Sequence, residues 1–419
     1  MASTVANLAS VLKDAWTSDR LAVQFYNKAP LLDWFNQTSP TMIGAQAQVP
    51  IHKGLPGGDT STGPAGGVLN PASNQQVDQA LYTMVYLWRQ IALETAALNQ
   101  TGSNAQAIVN AKDFEIQGAM DAMGRNASRM LANNGDGLIA QCTTTTTSNT
   151  ILLLPQASGG LGYDMIVRGG LYVGQLIDIG TTADTDAIAT GVTITGVTKS
   201  ATAPAITVSG GTLSTTSSHY ISVANPNSAT AANPELNGLR NMIGSATSIL
   251  GGINPATAGN EYWAPSSVDA STTSFSLDLM LNLNMGVYMQ TGSAQTTVLM
   301  SAKQMMNFYS LLQNQVRFTG ERGMGAGGIG NMDGMTWNGM GVNVMLDIVD
   351  KEIYFTNRDN FEKIVGNFKK PTWTSEIEGG GQGLRWAQGT TGFVEGVVFP
   401  LQVGMNRRNA SAAATNLVA

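Results

Sequence analysis

The chain has 419 residues, 43% of them apolar and only 12% charged, with 48 glycines, 20 methionines and a net charge of −6. A charged fraction of about half the usual value, beside ample apolar side chains, excludes a disordered chain and calls for extensive burial, part of it between subunits. Twenty-two Lys and Arg against 28 Asp and Glu exclude a nucleic-acid reader, a lone cysteine (Cys142) excludes an internal disulfide framework, and no apolar run reaches the ~18 residues of a membrane span.

In chain order, Val5, Leu8, Leu12, Ala15 and Trp16 recur at helical spacing behind a Ser3/Thr4 cap, and Phe25, Tyr26, Leu31, Leu32, Trp34 and Phe35 follow. Lys13 and Asp14 inside the pattern exclude a signal peptide, so folding in a reducing cytoplasm is expected. Residues 1–39 read as an arm whose large apolar groups need a cover. Residues 40–56 read as a strand, 57–74 as a Gly/Pro/Ser/Thr-rich tip and 75–93 as a second strand. The unit is a long hairpin, each arm reaching about 40–50 Å, and it needs a partner surface because an isolated two-stranded hairpin is marginal in water. Candidate inter-subunit contacts are Trp16, Phe25, Trp34 and Phe35 on the arm with His52, Lys53, Leu55, Val68 and Leu69 on the hairpin.

The rest of the chain is organised around residues 99–137. Ser103 and Gln106 form a capping box, and Val109, Ile116, Met123 and Met130 then recur every seven residues, with Met120 and Ala127 between them. Lys112, Glu115, Asp121, Arg125 and Arg129 take the opposite face, and Asn133-Asn134-Gly135-Asp136-Gly137 ends the run. Roughly thirty residues make a rod of about 45 Å. Gly118 and Gly124 each cost about 1 kcal/mol against Ala, which marks them as places of close backbone approach.

Composition changes abruptly at residue 142. Short strands (TILLLP, GGLYVGQLIDIG, ATGVTITGVTKS, AITVSGG, HYISVAN) alternate with turns through residue 232, the pattern of an inserted small β-barrel or sandwich. Residues 233–350 return to mixed α/β: Leu277, Met280, Leu281, Asn284 and Tyr288 share one helical face, VLMSAKQMMNFYSLLQNQVRF opens as a strand and continues as a helix, and TWNGMGVNVMLDIV and EIYFTN read as strands. Residues 360–419 are β-rich (FEKIVGNF, TWTSEIEG and the run to Arg408) and end in a small-residue tail.

The residues offer little chemistry. His52 and His219 cannot make a His-based triad or metal cluster, and both read as surface or hydrogen-bonded residues. Gly323, Gly325 and Gly328 spell GxGxxG with Asp347 about twenty residues on, but helix, loop, strand is the wrong context for a dinucleotide site. Asn134-Gly135-Asp136-Gly137 lacks the ligand spacing of a calcium loop. Cys142 reads as a small buried filler and the methionines as core gap-fillers. No cofactor, metal or catalytic residue is expected.

The order of parts resembles the tailed-bacteriophage major capsid proteins, which share the Hong Kong 97 fold. Local runs are similar too: Arg129–Gly137 at the end of the spine helix, Asn237-Gly238-Leu239 through Ile253-Asn254-Pro255 to Tyr262-Trp263, Trp337 to Phe355, and Asn406-Arg407-Arg408-Asn409-Ala410. The resemblance implies an α+β capsid fold with an N-arm (1–39), an extended loop (40–80), a peripheral domain with the spine helix (81–141) and later strands (360–400). It also implies an inserted β domain (142–232), an axial domain (233–359) and a final strand and tail (401–419). Val109, Ile116, Met120, Met123 and Met130 are the expected packing residues of the spine. Such a subunit assembles with copies of itself into pentamers and hexamers of an icosahedral head, in the host cytoplasm and then the virion. Scaffolding, portal and decoration or cement proteins are the expected partners, with double-stranded DNA met only non-specifically on the inner face, and no membrane. No charged or heptad-patterned scaffolding stretch is read at the start of the chain, so the expectation is a separate scaffolding protein or a scaffolding segment cleaved away before this sequence begins. Family cross-linking through an extended-loop lysine is not carried over to Lys53. The rival readings are an encapsulin-type compartment of the same fold, which would lack the β insertion, and a nucleotide enzyme using the 323–334 loop.

Overall fold

The computed structural model describes residues 18–38, 40–54, 70–71, 74–94, 105–155, 161–181, 188–224, 235–270, 273–313, 336–345, 348–366, 369–377, 385–386 and 392–417. Trp16, Leu55, Val68, Leu69, the side chain of Val109 and the 323–334 loop lie outside them.

Two helices, α1 (Ser18–Lys28) and α2 (Pro30–Trp34), lead into β1 (Gln37–Thr38). Next, β2 (Thr41–Ile43), β3 (Gln46–Gly54) and β4 (Gln76–Thr83) form an antiparallel sheet, its β3–β4 register running from Gln46↔Thr83 to Gly54↔Gln76. Met84 then parts β4 from β5 (Val85–Glu94). The stretch expected as one hairpin strand is therefore two strands serving two sheets.

The long helix is α3 (Ala105–Ala132), whose 28 residues span about 42 Å. Ile116, Met120, Met123, Ala127 and Met130 are buried along one stripe. They share a core with Leu21 and Phe25 of α1 and Leu31 and Leu32 of α2. A Cβ at Gly124 would sit 2.7 Å from Lys28 Cβ and 2.8 Å from the Phe25 carbonyl, so α1 approaches the backbone there, whereas Gly118 faces open space. Two expectations are corrected. Arg129 does not belong to the polar face but is 5% exposed. Phe25 and Phe35 are buried in their own subunit's core instead of meeting a neighbour, and half-buried Trp34 packs against that core. Phe25 meets Phe399 edge-on at 5.5 Å, Phe35 stacks on Phe361 at 4.7 Å, and Trp34 lies 5.9 Å from Phe361. A sequence displays an apolar stripe; which surface covers it is a tertiary fact.

After the glycine turn come β6 (Leu138–Gln141), β7 (Thr145–Ser148), β8 (Thr150–Leu152), the short helix α4 (Gly162–Val167), β9 (Leu176–Thr181), β10 (Ala189–Thr198), β11 (Ala205–Val208), β12 (Leu213–Thr215) and β13 (His219–Val223). Six strands run in the order β6-β13-β9-β10-β11-β8, every neighbour antiparallel, while β7 and β12 pair apart. The two ends of this order meet. Cys142 bridges Leu153, the Thr143 N–H donates to the Leu152 carbonyl at 2.8 Å, and the Leu154 N–H donates to the Gln141 carbonyl at 2.9 Å. The sheet is a closed barrel. Ile139, Ile151, Ile177, Ile179, Ile194, Ile206 and Ile221 fill it as a core of its own. Burial pushes the Cys142 thiol up to about 12. The barrel starts at Leu138 rather than 142, because β6 supplies a staff of it.

The remaining elements are α5 (Leu239–Met242), β14 (Ser266–Asp269), α6 (Leu277–Thr291), β15 (Thr297–Met300), α7 (Ala302–Gln313), β16 (Thr336–Trp337), β17 (Met340–Val344), β18 (Ile353–Thr356), β19 (Phe361–Val365), β20 (Thr372–Trp373), α8 (Thr374–Ile377), β21 (Arg385–Trp386), β22 (Gly392–Met405) and β23 (Ala412–Thr415). One mixed sheet runs β14-β23-β18-β15-β17-β16; a second, built on the long β22, runs β1-β19-β22-β20 and takes β5 and β21 as further partners of β22. Three readings change. TWTSEIEG is a two-residue strand turning into α8. The small-residue tail contains β23, whose Ala412, Ala413 and Ala414 are fully buried inside the mixed sheet. The buried face of α6 is Met280, Leu283, Asn284 and Val287, leaving Leu281 and Tyr288 outside.

Candidate assembly surfaces

Residues 235–263 form a hub on which the long helix, the hairpin and the last strands converge. Glu235 takes Arg129 of α3 in a buried ion pair, and Asn126 Oδ1 accepts from Arg129 Nε at 3.1 Å and Nη2 at 3.0 Å. Burying both charges is tolerable because each hydrogen-bonding group is met. Next, the Asn237 N–H donates to Gln402 Oε1 and its Nδ2 to the Val403 carbonyl, both at 2.9 Å. At Gly238 a Cβ would fall 1.8 Å from the Asn133 carbonyl oxygen, so only glycine lets this loop press on the end of α3.

Arg408 then gathers the following turn. Its Nε donates to the Met242 carbonyl at 2.7 Å, Nη1 to the Ser248 carbonyl at 2.7 Å, and Nη2 to the Asn241 and Ser245 carbonyls at 3.0 and 2.9 Å and to Ser248 Oγ at 2.5 Å. Desolvation pulls this guanidinium down to about 10.

The hub's last part carries the hairpin base. The Leu81 N–H of β4 donates to the Gly251 carbonyl at 2.9 Å, and Tyr262 Oη donates to Asp78 Oδ2 at 2.9 Å. Lys53 Nζ donates to Asn260 Oδ1 at 3.2 Å, lies 4.0 Å from Asp78 and sits 5.6 Å above the Tyr262 ring. The Gln79 N–H and the Tyr262 hydroxyl hold the Asp78 carboxyl below its ordinary range. Tyr82 Oη donates to the Met405 carbonyl at 2.9 Å and accepts the Met405 N–H at 3.0 Å. Ala47, Val49, Ile51, Ala80 and Tyr82 are buried in one core with Leu250, Ile253 and Trp263. The base of the hairpin is thus covered by its own chain.

Among the expected contact residues, Lys53 is tied down within the chain and His52 is exposed, accepting from Gln75 Nε2. Other surfaces are more apolar. On β5, Tyr86 and Trp88 (62% exposed) alternate with buried Val85 and Leu87. They wall a groove of about 1400 Å³ floored by Asp121, Arg125 and Asn126 of α3 and closed by Tyr172 and Leu176 of the barrel. On α6, Leu281, Met285, Tyr288 and Met289 (82% exposed) make a second stripe. Both follow strand or helix periodicity, so the signal existed; what the pattern lacks is which phase faces inward. Among the described residues no group of three His, Cys, Asp or Glu could hold a metal ion, and no helix is long and apolar enough to cross a membrane.

No family model matches the chain, and no curated protein matches it. Solved structures do. The capsid asymmetric unit of cyanophage A-1(L) is similar over 93% of this chain and 93% of its own, with 11% identity and a TM-score of 0.52. The fold is the Hong Kong 97 capsid fold. A capsid chain of a native GTA particle (9% identity, 93% and 91% covered, TM-score 0.47) and the virus-like particle of Pyrococcus furiosus (8%, 94% and 98%, 0.39) are also similar. The long helix α3, the β3–β4 pair, the sheet built on β22, the mixed sheet and the closed barrel are the parts through which this chain takes that fold.

Proposed function

We propose that the chain is a major capsid protein, a structural subunit that closes into an icosahedral head shell as pentamers and hexamers of itself. The observation that carries this reading is the likeness to a cyanophage capsid chain over nearly the whole length of both. The hub supports it physically. A hairpin whose base is held by the hub, with apolar faces elsewhere on the subunit, suits head-to-tail contacts that close when the rotation allows. In this reading scaffolding, portal and decoration proteins are partners, DNA meets the inner face without sequence readout, and the site of action is the virion after assembly in the host cytoplasm. Electron microscopy of the purified protein, alone and co-expressed with the products of neighbouring genes, is expected to show closed shells or capsomers. A protein that remains monomeric in every such condition overturns the reading. Removing residues 57–70 is expected to leave a soluble subunit that no longer closes shells, and normal particles from that variant would show that the hairpin tip is not an assembly contact.

A further inference from the structure

β5 closes one side of the sheet built on β22. Its ten residues pair with β22 in an unbroken register, from Gly392↔Glu94 to Leu401↔Val85, and among the described residues no strand pairs with its other side. In an antiparallel pair, alternate residues exchange both backbone hydrogen bonds with the partner, and those between them turn their N–H and C=O groups away. About half of β5 therefore offers an open ladder. Among the described residues every other terminal strand of a sheet is shorter; β4, with eight residues, is bonded at Leu81 to the Gly251 carbonyl. No proline, glycine or bulge interrupts β5, the usual devices that blunt an edge.

The edge is sheltered instead. Six consecutive residues, Met84–Arg89, wall the groove of about 1400 Å³, with α3 as its floor and Tyr172, Leu176 and Gly191 of the barrel on the far side. Consecutive residues of a strand line a groove together only along the strand's edge, because its two faces take alternate residues. A flanked edge suits a lone extended segment better than another folded sheet, which needs open space on both sides. The side chains form two rows. Tyr86 and Trp88, 55% and 62% exposed, stand on one face of β5. Arg89 is in phase with buried Val85 and Leu87, which share a core with Ile116 and Met123 of α3, and exposed Arg125 lies on the floor. Among the described residues neither guanidinium makes an ion pair or a hydrogen bond. The lining carboxylates are engaged: Asp121 lies 3.3 Å from Lys28 Nζ, Glu235 holds Arg129, and Asp178 Oδ1 accepts the Gly191 N–H at 2.6 Å.

We infer that the free edge of β5 is a docking slot for an extended segment of a second protein, one in which carboxylate and apolar side chains alternate. The segment adds a strand to the β22 sheet and its backbone completes the open ladder. Because strand side chains alternate, its apolar residues cover Tyr86 and Trp88 while its carboxylates, on the other face, meet Arg89 and Arg125. The slot lies within one subunit, so it names a partner surface for the proposed capsid subunit without depending on shell closure.

Fluorescence anisotropy of the full-length unassembled chain with a labelled Glu-Val-Glu-Val-Glu-Val peptide tests it. Saturable binding that weakens as salt rises is expected, together with new hydrogen-exchange protection in residues 84–94. The Lys-Val counterpart reverses the charge and a fully N-methylated Glu-Val peptide lacks the ladder donors; each should bind at least about tenfold more weakly. Arg89→Glu and Arg125→Glu should each weaken binding about tenfold, and Trp88→Ala by about as much. All three residues are exposed, so urea midpoints near the parent's confirm that these variants fold. No saturable binding, equal affinity for the Glu-Val and Lys-Val peptides, or protection gained outside 84–94 overturns the slot. So does a chain that excludes the peptide and self-associates until Trp88→Ala makes it monomeric, since the occupant is then a second copy. A chain that binds the peptide yet forms no shells removes the capsid reading and leaves the slot; closed shells from a chain that ignores the peptide do the reverse.

Discussion

Arg408 is fully buried, and among the described residues its five donor contacts are all to carbonyls and one hydroxyl, none to a carboxylate. A guanidinium presents five N–H donors in a fixed fork, whereas an ammonium has three on a point. Arg408→Lys is therefore expected to strand buried carbonyls and cost about 3–5 kcal/mol. Arg407→Lys, at an exposed residue bonded to Ser293 Oγ and the Thr291 carbonyl, should cost under ~0.5 kcal/mol. Urea midpoints check this, and equal midpoints would remove Arg408 from the hub. The glycines divide in the same way. Gly238→Ala drives a methyl into the Asn133 carbonyl and should lose about 3 kcal/mol or more. Gly118→Ala, in a helix interior with open space beside it, should gain about 0.5–1 kcal/mol. Thermal melts of the two variants should move in opposite directions; a stabilised Gly238→Ala would contradict the close approach. The sequence runs around Gly238 and Arg408 were legible as resemblance, but their physical reason is long-range, between residues 133 and 238 or 242 and 408, and no local pattern encodes it.

The spine helix was legible because 28 residues without proline repeat one apolar phase, and a 3.6-residue period is a local property. Arg129 was not, since a charge inside an amphipathic pattern reads as solvent-facing until its buried partner, Glu235, is known. The hairpin strand 75–93 reads as continuous in propensity; its division at Met84 depends on which sheet claims each half. Met123→Asp places a carboxylate in the stripe packed between α3 and the core, where an unpaired charge costs several kcal/mol. Insoluble protein is the expected outcome, whereas the exposed Arg125→Gln should stay within ~0.5 kcal/mol of the parent. Soluble yield and denaturation midpoints distinguish them, and similar behaviour of the two would put the wrong face inward.

At the scale of the whole molecule the inserted module announced itself by composition, but its edges did not. LIAQ is too short to carry a strand signal and follows directly on the glycine turn, so the sequence alone places it with the long helix, whereas β6 pairs with β13 and meets β8. This difference makes the boundary testable. A fragment of residues 138–224 contains all six barrel strands and the isoleucine core, and should unfold in one cooperative transition with a β-type circular dichroism spectrum. A fragment of 142–232 lacks β6, leaves β13 with one neighbour and opens the barrel, exposing a sheet edge and part of the core; it should be unstructured or aggregate. Because Leu138 and Ser222 are paired, the rest of the chain sees two ends about one strand spacing apart. A short Gly/Ser link across them closes a small loop at little cost, and the separate cores of the peripheral and axial sheets remain whole. The excised chain should therefore keep a cooperative melt of its own. Two well-behaved fragments, one 138–224 and one its complement, would establish the barrel as an independent folding unit. An unstructured 138–224 together with an unfolded remainder would make barrel and subunit a single domain.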